Sequence, residues 1–450
     1  MRLRQARRHL LIAAIAAVSL SFLAAIGSTS AVEERARPAR GADADILQHA
    51  RKALDEGRKT FRFDTFGDEA FWGDSLKLHQ AIAGAANGGV GNGLSPNAAL
   101  AVGLKVDVDA LPGSLKSDLR HGRVNLDDPA TTLALLRLNA VVGVTGFFEG
   151  TGAQTLRSVG IQCALCHSTV DDSFAPGIGS RLDGWANRDL DVGQIINLAP
   201  DLSVVNALLG VPDQTTRAVV TSWGPGKFDA ELFLDGQNSP TLIPPAFGLA
   251  GVNLHTWTGW GSVSHWNAFV ANLEMHGKGR FWDPRLNDAS QFPIAAANGF
   301  GNLNPDLSPD DDRITPKLAD LHFYQLAIPA PAPPDGSFDH AAAKRGDVLF
   351  SGKAKCNSCH VEPLWTEPGW NLHTPAEVGI DELQADRAPD RRYRTSPLGG
   401  LWTHTKGGFY HDGRFATLPD VVDHYDAFLN LGLTAAEKSD LVEYLKSLPD

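Results

Sequence analysis

Cys163-Ala-Leu-Cys166-His167 and Cys356-Asn-Ser-Cys359-His360 are two copies of one pattern, C-x-x-C-H, and together they use all four cysteines of the 450-residue chain. The spacing is that of c-type haem attachment. Two thiols form thioethers to the two vinyl edges of one haem, and the adjacent His lies beneath the ring as the proximal iron ligand. Two disulfides, a thioredoxin-like redox pair or a four-cysteine zinc site would use the same cysteines, but none of them accounts for a His after both pairs. The sequence therefore predicts two covalently bound haem c, attached through Cys163, Cys166, Cys356 and Cys359, with His167 and His360 on the irons.

The rest of the composition frames that prediction. With 43% hydrophobic and 20% charged residues, the chain is neither a disordered tail nor a multi-span membrane protein, and it can bury a core in two or three domains. A formal charge of −12 argues against nucleic acid as a partner. The N-terminus carries Arg2, Arg4, Arg7 and Arg8, an apolar run over residues 10–26 and the small residues Gly27-Ser-Thr-Ser-Ala31. This is the order of an export signal, cleaved after about Ala31. A retained anchor is the alternative, because the run approaches the roughly 18–20 residues that span a bilayer. Either way the folded part is expected outside the cytoplasm, in the periplasm, where such haems are attached, with no membrane span once the signal is gone.

Beyond that N-terminal segment, helix signals dominate the chain. Ser95-Pro96 and Asp128-Pro129 each pair a cap with a first-turn proline. Thr417 caps a helix holding Val421, Val422 and Tyr425, and Thr434 with Glu437 forms a capping box for the last helix. Ile328-Pro-Ala-Pro-Ala-Pro-Pro334 has the composition of a stiff linker. The expected fold is mainly α: two cytochrome c-like haem domains with long irregular loops and an N-terminal helical extension. The divisions are a signal peptide at 1–31, the extension at 32–160, a first, catalytic haem domain at 161–335 and a second, electron-transfer haem domain at 336–450.

Each haem iron also needs a sixth ligand or an open site. Methionine is the usual sixth ligand in cytochromes c, but the only methionines are Met1 and Met275, neither near the second motif. Candidates there are His373, His404, His411, His424 and Tyr425. No histidine lies between His167 and His255, so haem 1 is either open or closed by a remote residue such as His79, His255, His265 or His276.

Over residues 160–450 the chain resembles the bacterial di-haem cytochrome c peroxidase and MauG-type superfamily. Asn238-Ser-Pro-Thr241 is similar to that family's N-T-P-T, Trp257-Thr-Gly259 to its W-D-G, Leu273-Glu274-Met275 to the end of its N-P-x-E-M, and Phe409-Tyr410-His411-Asp412-Gly413 to its Y-F-H-D-G. The resemblance implies that haem 1 is the reactive centre, that Glu274 is the acid/base on its distal side and that Trp257 is an electron relay between the haems. It also implies that the fourteenth residue after His411, Tyr425, is the sixth ligand of haem 2, with His424 as the other choice. Asn238 resembles a calcium-ligating residue of the family, which would add one Ca2+. Two departures stand out: Ser264 and Ala268 replace a Gln and a Pro, and the histidine that closes haem 1 in resting peroxidases has no counterpart. Trp223-Gly-Pro-Gly-Lys-Phe228, with Trp257, Trp260 and Trp266, also resembles the di-haem rubber oxygenases.

The function expected from these readings is that of an exported di-haem c-type oxidoreductase. It would reduce hydrogen peroxide at haem 1 with electrons from a small redox protein, a cytochrome c or cupredoxin, passed through haem 2. The alternatives are a di-haem electron carrier without catalysis and an oxygenase using dioxygen on an organic substrate.

Overall fold

Helices start where caps make them start. Ser95 accepts the Ala98 amide at the head of Pro96–Ala101, and Asp128 accepts the Ala130 amide at 2.9 Å ahead of Pro129–Arg137. Thr417 with Asp420, and Thr434 with Glu437, close reciprocal capping boxes on Leu418–Leu429 and Ala435–Ser447. Each box satisfies two amide donors that a helix start leaves open. Replacing Thr417 with Ala is expected to cost about 1 kcal/mol, read as a lower midpoint of thermal unfolding.

The computed structural model describes residues 41–152 and 154–449; the export segment read at 1–31 lies outside them. The chain divides at Lys52. Residues 41–52 open the helix Ala42–Phe63, and everything from Ala53 onward forms one unit. Among the described residues helices dominate, and strands occur only in two-stranded ladders. No helix among the described residues is long and apolar enough to cross a membrane.

The expectation of a helical extension over 32–160 needs correction. Val144–Glu149 and Thr155–Ile161 pair antiparallel, with Val144 opposite Ile161. Both runs are rich in β-branched and aromatic residues, and Gly150 and Gly152, both at positive φ, turn the chain between them. The second strand leads directly into the first haem motif.

Among the described residues five hydrophobic cores hold the unit, and the two largest lie on either side of the proline-rich segment. The larger gathers buried side chains from Trp72 to Ile243 and joins the segment ahead of the first haem motif to the helices after it. The other gathers Phe350, Leu418, Val422, Leu441 and Leu445. In that second core His340–Ser351 packs on Ala435–Ser447, and Gly346 permits the approach, since a Cβ there would lie 2.1 Å from the Asp440 carbonyl oxygen. Between the cores, the proline-rich segment 328–334 is fastened on both sides. The Ile328 carbonyl accepts the Gly248 amide at 2.8 Å, and the Pro331 carbonyl accepts the Trp402 indole N–H at 2.9 Å.

Candidate active site

Both C-x-x-C-H motifs line one cavity of about 620 Å³. The chemistry around them suits haem. The His167 Nδ1 lies 3.1 Å from the Pro244 carbonyl and the His360 Nδ1 lies 2.9 Å from the Trp365 carbonyl. A carbonyl only accepts, so each Nδ1 carries the proton and each Nε2 keeps its lone pair for a metal. Burial lowers both imidazole pKa values, His167 to about 4, which keeps the rings neutral. None of the four cysteines is in a disulfide. Among the described residues no metal-ligand cluster joins cysteines of the two motifs. Burial pushes the Cys163 and Cys166 thiols up to about 12, so neither is a reactive thiolate.

Glu274 shares this cavity with Cys163, Cys166 and His167. It closes the π-helical turn Val270–Glu274, which follows the helix Val263–Phe269; such turns re-aim a side chain and gather at functional sites. Both carboxyl oxygens are buried without a hydrogen-bond partner. Burial, reinforced by the charges of Glu231 and Asp229, holds its pKa well above the ordinary carboxylic range. The segment ahead of the first motif supports it: the Trp72 indole donates to the Met275 carbonyl at 3.1 Å, and Phe71 stacks on His276 at 3.7 Å. Of the remote histidines weighed for haem 1, His255 and His276 line the cavity, whereas His79 and His265 do not. Ser264, at one of the departures, faces the His322 Nδ1 at 2.9 Å.

Trp257 is tied to both halves of the chain. Its indole donates to the Leu242 carbonyl at 3.0 Å, and the Leu242 amide donates to the His411 carbonyl at 2.6 Å. The Arg394 amide donates to the Trp257 carbonyl at 3.1 Å. The Arg394 side chain then reaches the Thr256 carbonyl at 2.8 Å and the Leu254 carbonyl at 2.6 Å. Trp257 also lines the cavity.

Around the second motif, Tyr425, His373, His404 and His411 line the cavity and His424 does not. The His424 ring lies parallel to Phe428, with its Nε2 3.4 Å from the Val378 carbonyl. His373 is held by Glu367 at 2.5 Å. Tyr425 is half-buried beside Tyr410, their ring centres 6.4 Å apart. Burial first, then the nearby Cys359 and Cys356, raises its pKa against the opposing effect of Tyr410. Asn238, the residue implied for calcium, uses its amide on protein partners: Oδ1 accepts the Trp223 indole at 3.0 Å and Nδ2 donates to Ser222 at 3.1 Å.

Several functional-looking residues carry no sequence signal. Arg387 is buried and donates to Asp229 at 2.9 Å, to Asp235 at 2.6 Å and to the carbonyls of Gln237 and Ser239, on either side of Asn238. Glu231 lines the cavity, and its Oε2 is buried without a partner. Arg188 has all three guanidinium nitrogens buried without a hydrogen-bond partner. Arg394 reaches only carbonyls. Arg394 lines the cavity, and a guanidinium there without a carboxylate partner suits a cofactor with anionic propionate edges.

No family model matches the chain. Methylamine utilization protein MauG of Methylorubrum extorquens is 26% identical over 275 residues, which is 54% of this chain and 70% of that protein. Cytochrome-c peroxidase IdrP1 of Denitromonas iodatirespirans is 28% identical over 269 residues, which is 47% of this chain and 68% of that protein. Among solved structures, a MauG-like protein associated with microbial copper homeostasis aligns at 18% identity and a TM-score of 0.30, over 48% of this chain and 77% of that one. By its paired C-x-x-C-H motifs and these sequence relatives, the chain is similar to the di-haem cytochrome c peroxidases and MauG, a similarity that supports a di-haem oxidoreductase.

Proposed function

We propose that this protein reduces hydrogen peroxide at haem 1, held by Cys163, Cys166 and His167, with electrons passed through haem 2, held by Cys356, Cys359 and His360. The observation that carries the reading is Glu274, a buried carboxyl with both oxygens unpartnered on the same cavity wall as the first motif. Leaving such a group unbonded is costly, and a substrate that bonds to it gives it a use. Bound haem would supply the iron site for peroxide and the redox equivalents. The chain's own contribution is proton movement and positioning. Glu274 takes a proton from the near peroxide oxygen and returns it to the far one. Trp257 carries electrons between the halves, supported by its hydrogen bonds to segments on both sides of the linker.

In this reading residues 161–335 form the catalytic haem domain and 336–450 the electron-transfer one. Tyr425 is the sixth ligand of haem 2, preferred over His424 because it reaches the cavity wall. The N-terminal order of charge, apolar run and small residues supports export to the periplasm. The acidic chain suits a basic small redox protein as donor.

A second reading, an electron carrier with both irons six-coordinate, draws on His255 and His276 in the cavity wall. An EPR spectrum of the resting ferric protein separates the two. The peroxidase reading expects one high-spin and one low-spin haem, and Tyr425→Phe is expected to change only the low-spin signal. Two low-spin haems that do not respond to peroxide would leave the carrier.

A further inference from the structure

The cavity lined by the first haem motif holds a second carboxyl that no motif marks. Glu231 sits at the N-terminus of the short helix Leu232–Asp235, is 3% exposed and lines the same cavity as Glu274, which is 8% exposed. Glu231 Oε2 and both oxygens of Glu274 are buried, and none has a hydrogen-bond partner. Three partnerless carboxyl oxygens lining one cavity, from two elements close enough for the charge of one to act on the other, are an arrangement for proton sharing.

We propose that Glu231 and Glu274 work as a pair holding one proton between them, with Glu231 accepting the proton that Glu274 must give up before it can meet peroxide as a base. For its chemistry the inference rests on the peroxidase reading above.

The surroundings divide the two roles. Arg387, in the buried cluster that also holds Asp229 and Asp235, is near enough for its charge to favour the charged form of Glu231. Burial raises its pKa to about 7 despite that cation. The charges that act on Glu274 are those of Glu231 and Asp229, both acidic, and the Cys166 thiol and His276 line the same cavity. The resting proton therefore sits on Glu274, and Glu231 is the carboxylate. When peroxide arrives, transfer of that proton to Glu231 leaves Glu274 free to take the proton of the near oxygen and hand it to the far one. The O–O bond breaks, and the reaction to two waters consumes two electrons from the donor protein and two protons. The proton held on Glu231 is one of those two.

Infrared titration of the holo-protein's protonated-carboxyl band above pH 6, where exposed carboxyls are ionised, tests the pair. Asp68, buried and raised to about 9, contributes equally to wild type and variants and is removed by difference. Wild type is expected to show two steps from the pair, the lower near 7. Glu231→Gln is expected to leave a single step lying between them, because the neighbouring charge that raised the upper one is gone. If it removes the lower step and leaves the upper where it was, the two groups are independent and the proposal is overturned. Should that variant fail to fold, judged by its haem spectrum, Glu231→Asp keeps the charge at longer range and must narrow the gap; an unchanged gap overturns the proposal. Peroxide turnover of Glu274→Gln is scored separately. Full turnover there sinks the peroxidase reading while the infrared result still decides the pair.

Discussion

Glu274→Gln is expected to slow peroxide reduction by about 10²–10⁴-fold, the range for removing a positioned acid/base, with both haems still attached. Gln keeps the shape of the side chain and cannot take up the proton, so a loss of rate without loss of haem separates chemistry from folding. The same change has a pH signature in stability. The native state holds the Glu274 proton well above the pH at which the unfolded chain releases it. Above the ordinary carboxylate range the native state thus binds more protons than the unfolded one, and wild-type stability falls as pH rises. Gln removes that loss. Thermal unfolding of the two proteins at pH 5 and pH 8 is expected to show the difference moving in favour of the variant at the higher pH.

Arg387→Ala is expected to be the most damaging single change away from the haems. Its side chain is 3% exposed, and those of Asp229 and Asp235 are 0% and 1% exposed. Removing the cation strands two buried carboxylates, a loss of about 3–5 kcal/mol by comparison with other broken buried pairs. It also frees the turn at Asn238, since Arg387 holds the carbonyls of Gln237 and Ser239. Leu242, the acceptor for the Trp257 indole, lies just beyond that turn. Denaturant titration should show the loss of stability. Arg387→Met combined with Asp229→Asn and Asp235→Asn is expected to recover part of it, because the two carboxylates that Arg387 pairs with are then neutral.

How much of this is legible in the chain depends on the range of the physics. The haem motifs read directly, since covalent attachment imposes a fixed local spacing. Helix starts read as well, because Asp128, Thr417 and Thr434 bond amides within three residues. Glu274 and Trp257 emerge only through ordered resemblance, which also singles out Tyr425 from the other ligand candidates. Glu231, Arg387 and Arg394 leave no trace: their meaning comes from partners or cavities assembled from distant parts of the chain, and any loop carries such residues. The hairpin at 144–161 escapes for a different reason. Its alternation is interrupted at Phe147 and Phe148, where the register shifts, so the period of two is broken where it would be read.

The fastened proline segment changes what joins the halves of the molecule. A loose tether sets how often two parts meet, through the effective concentration it imposes. Here the segment is held at Ile328 and Pro331, and Arg387 and Arg394 lock residues after the linker onto loops before it. The separation between the two C-x-x-C-H motifs is therefore a property of docked surfaces. Lengthening the linker outside those two anchors would leave the transfer distance unchanged, and natural variation in its length should be close to neutral for electron flow.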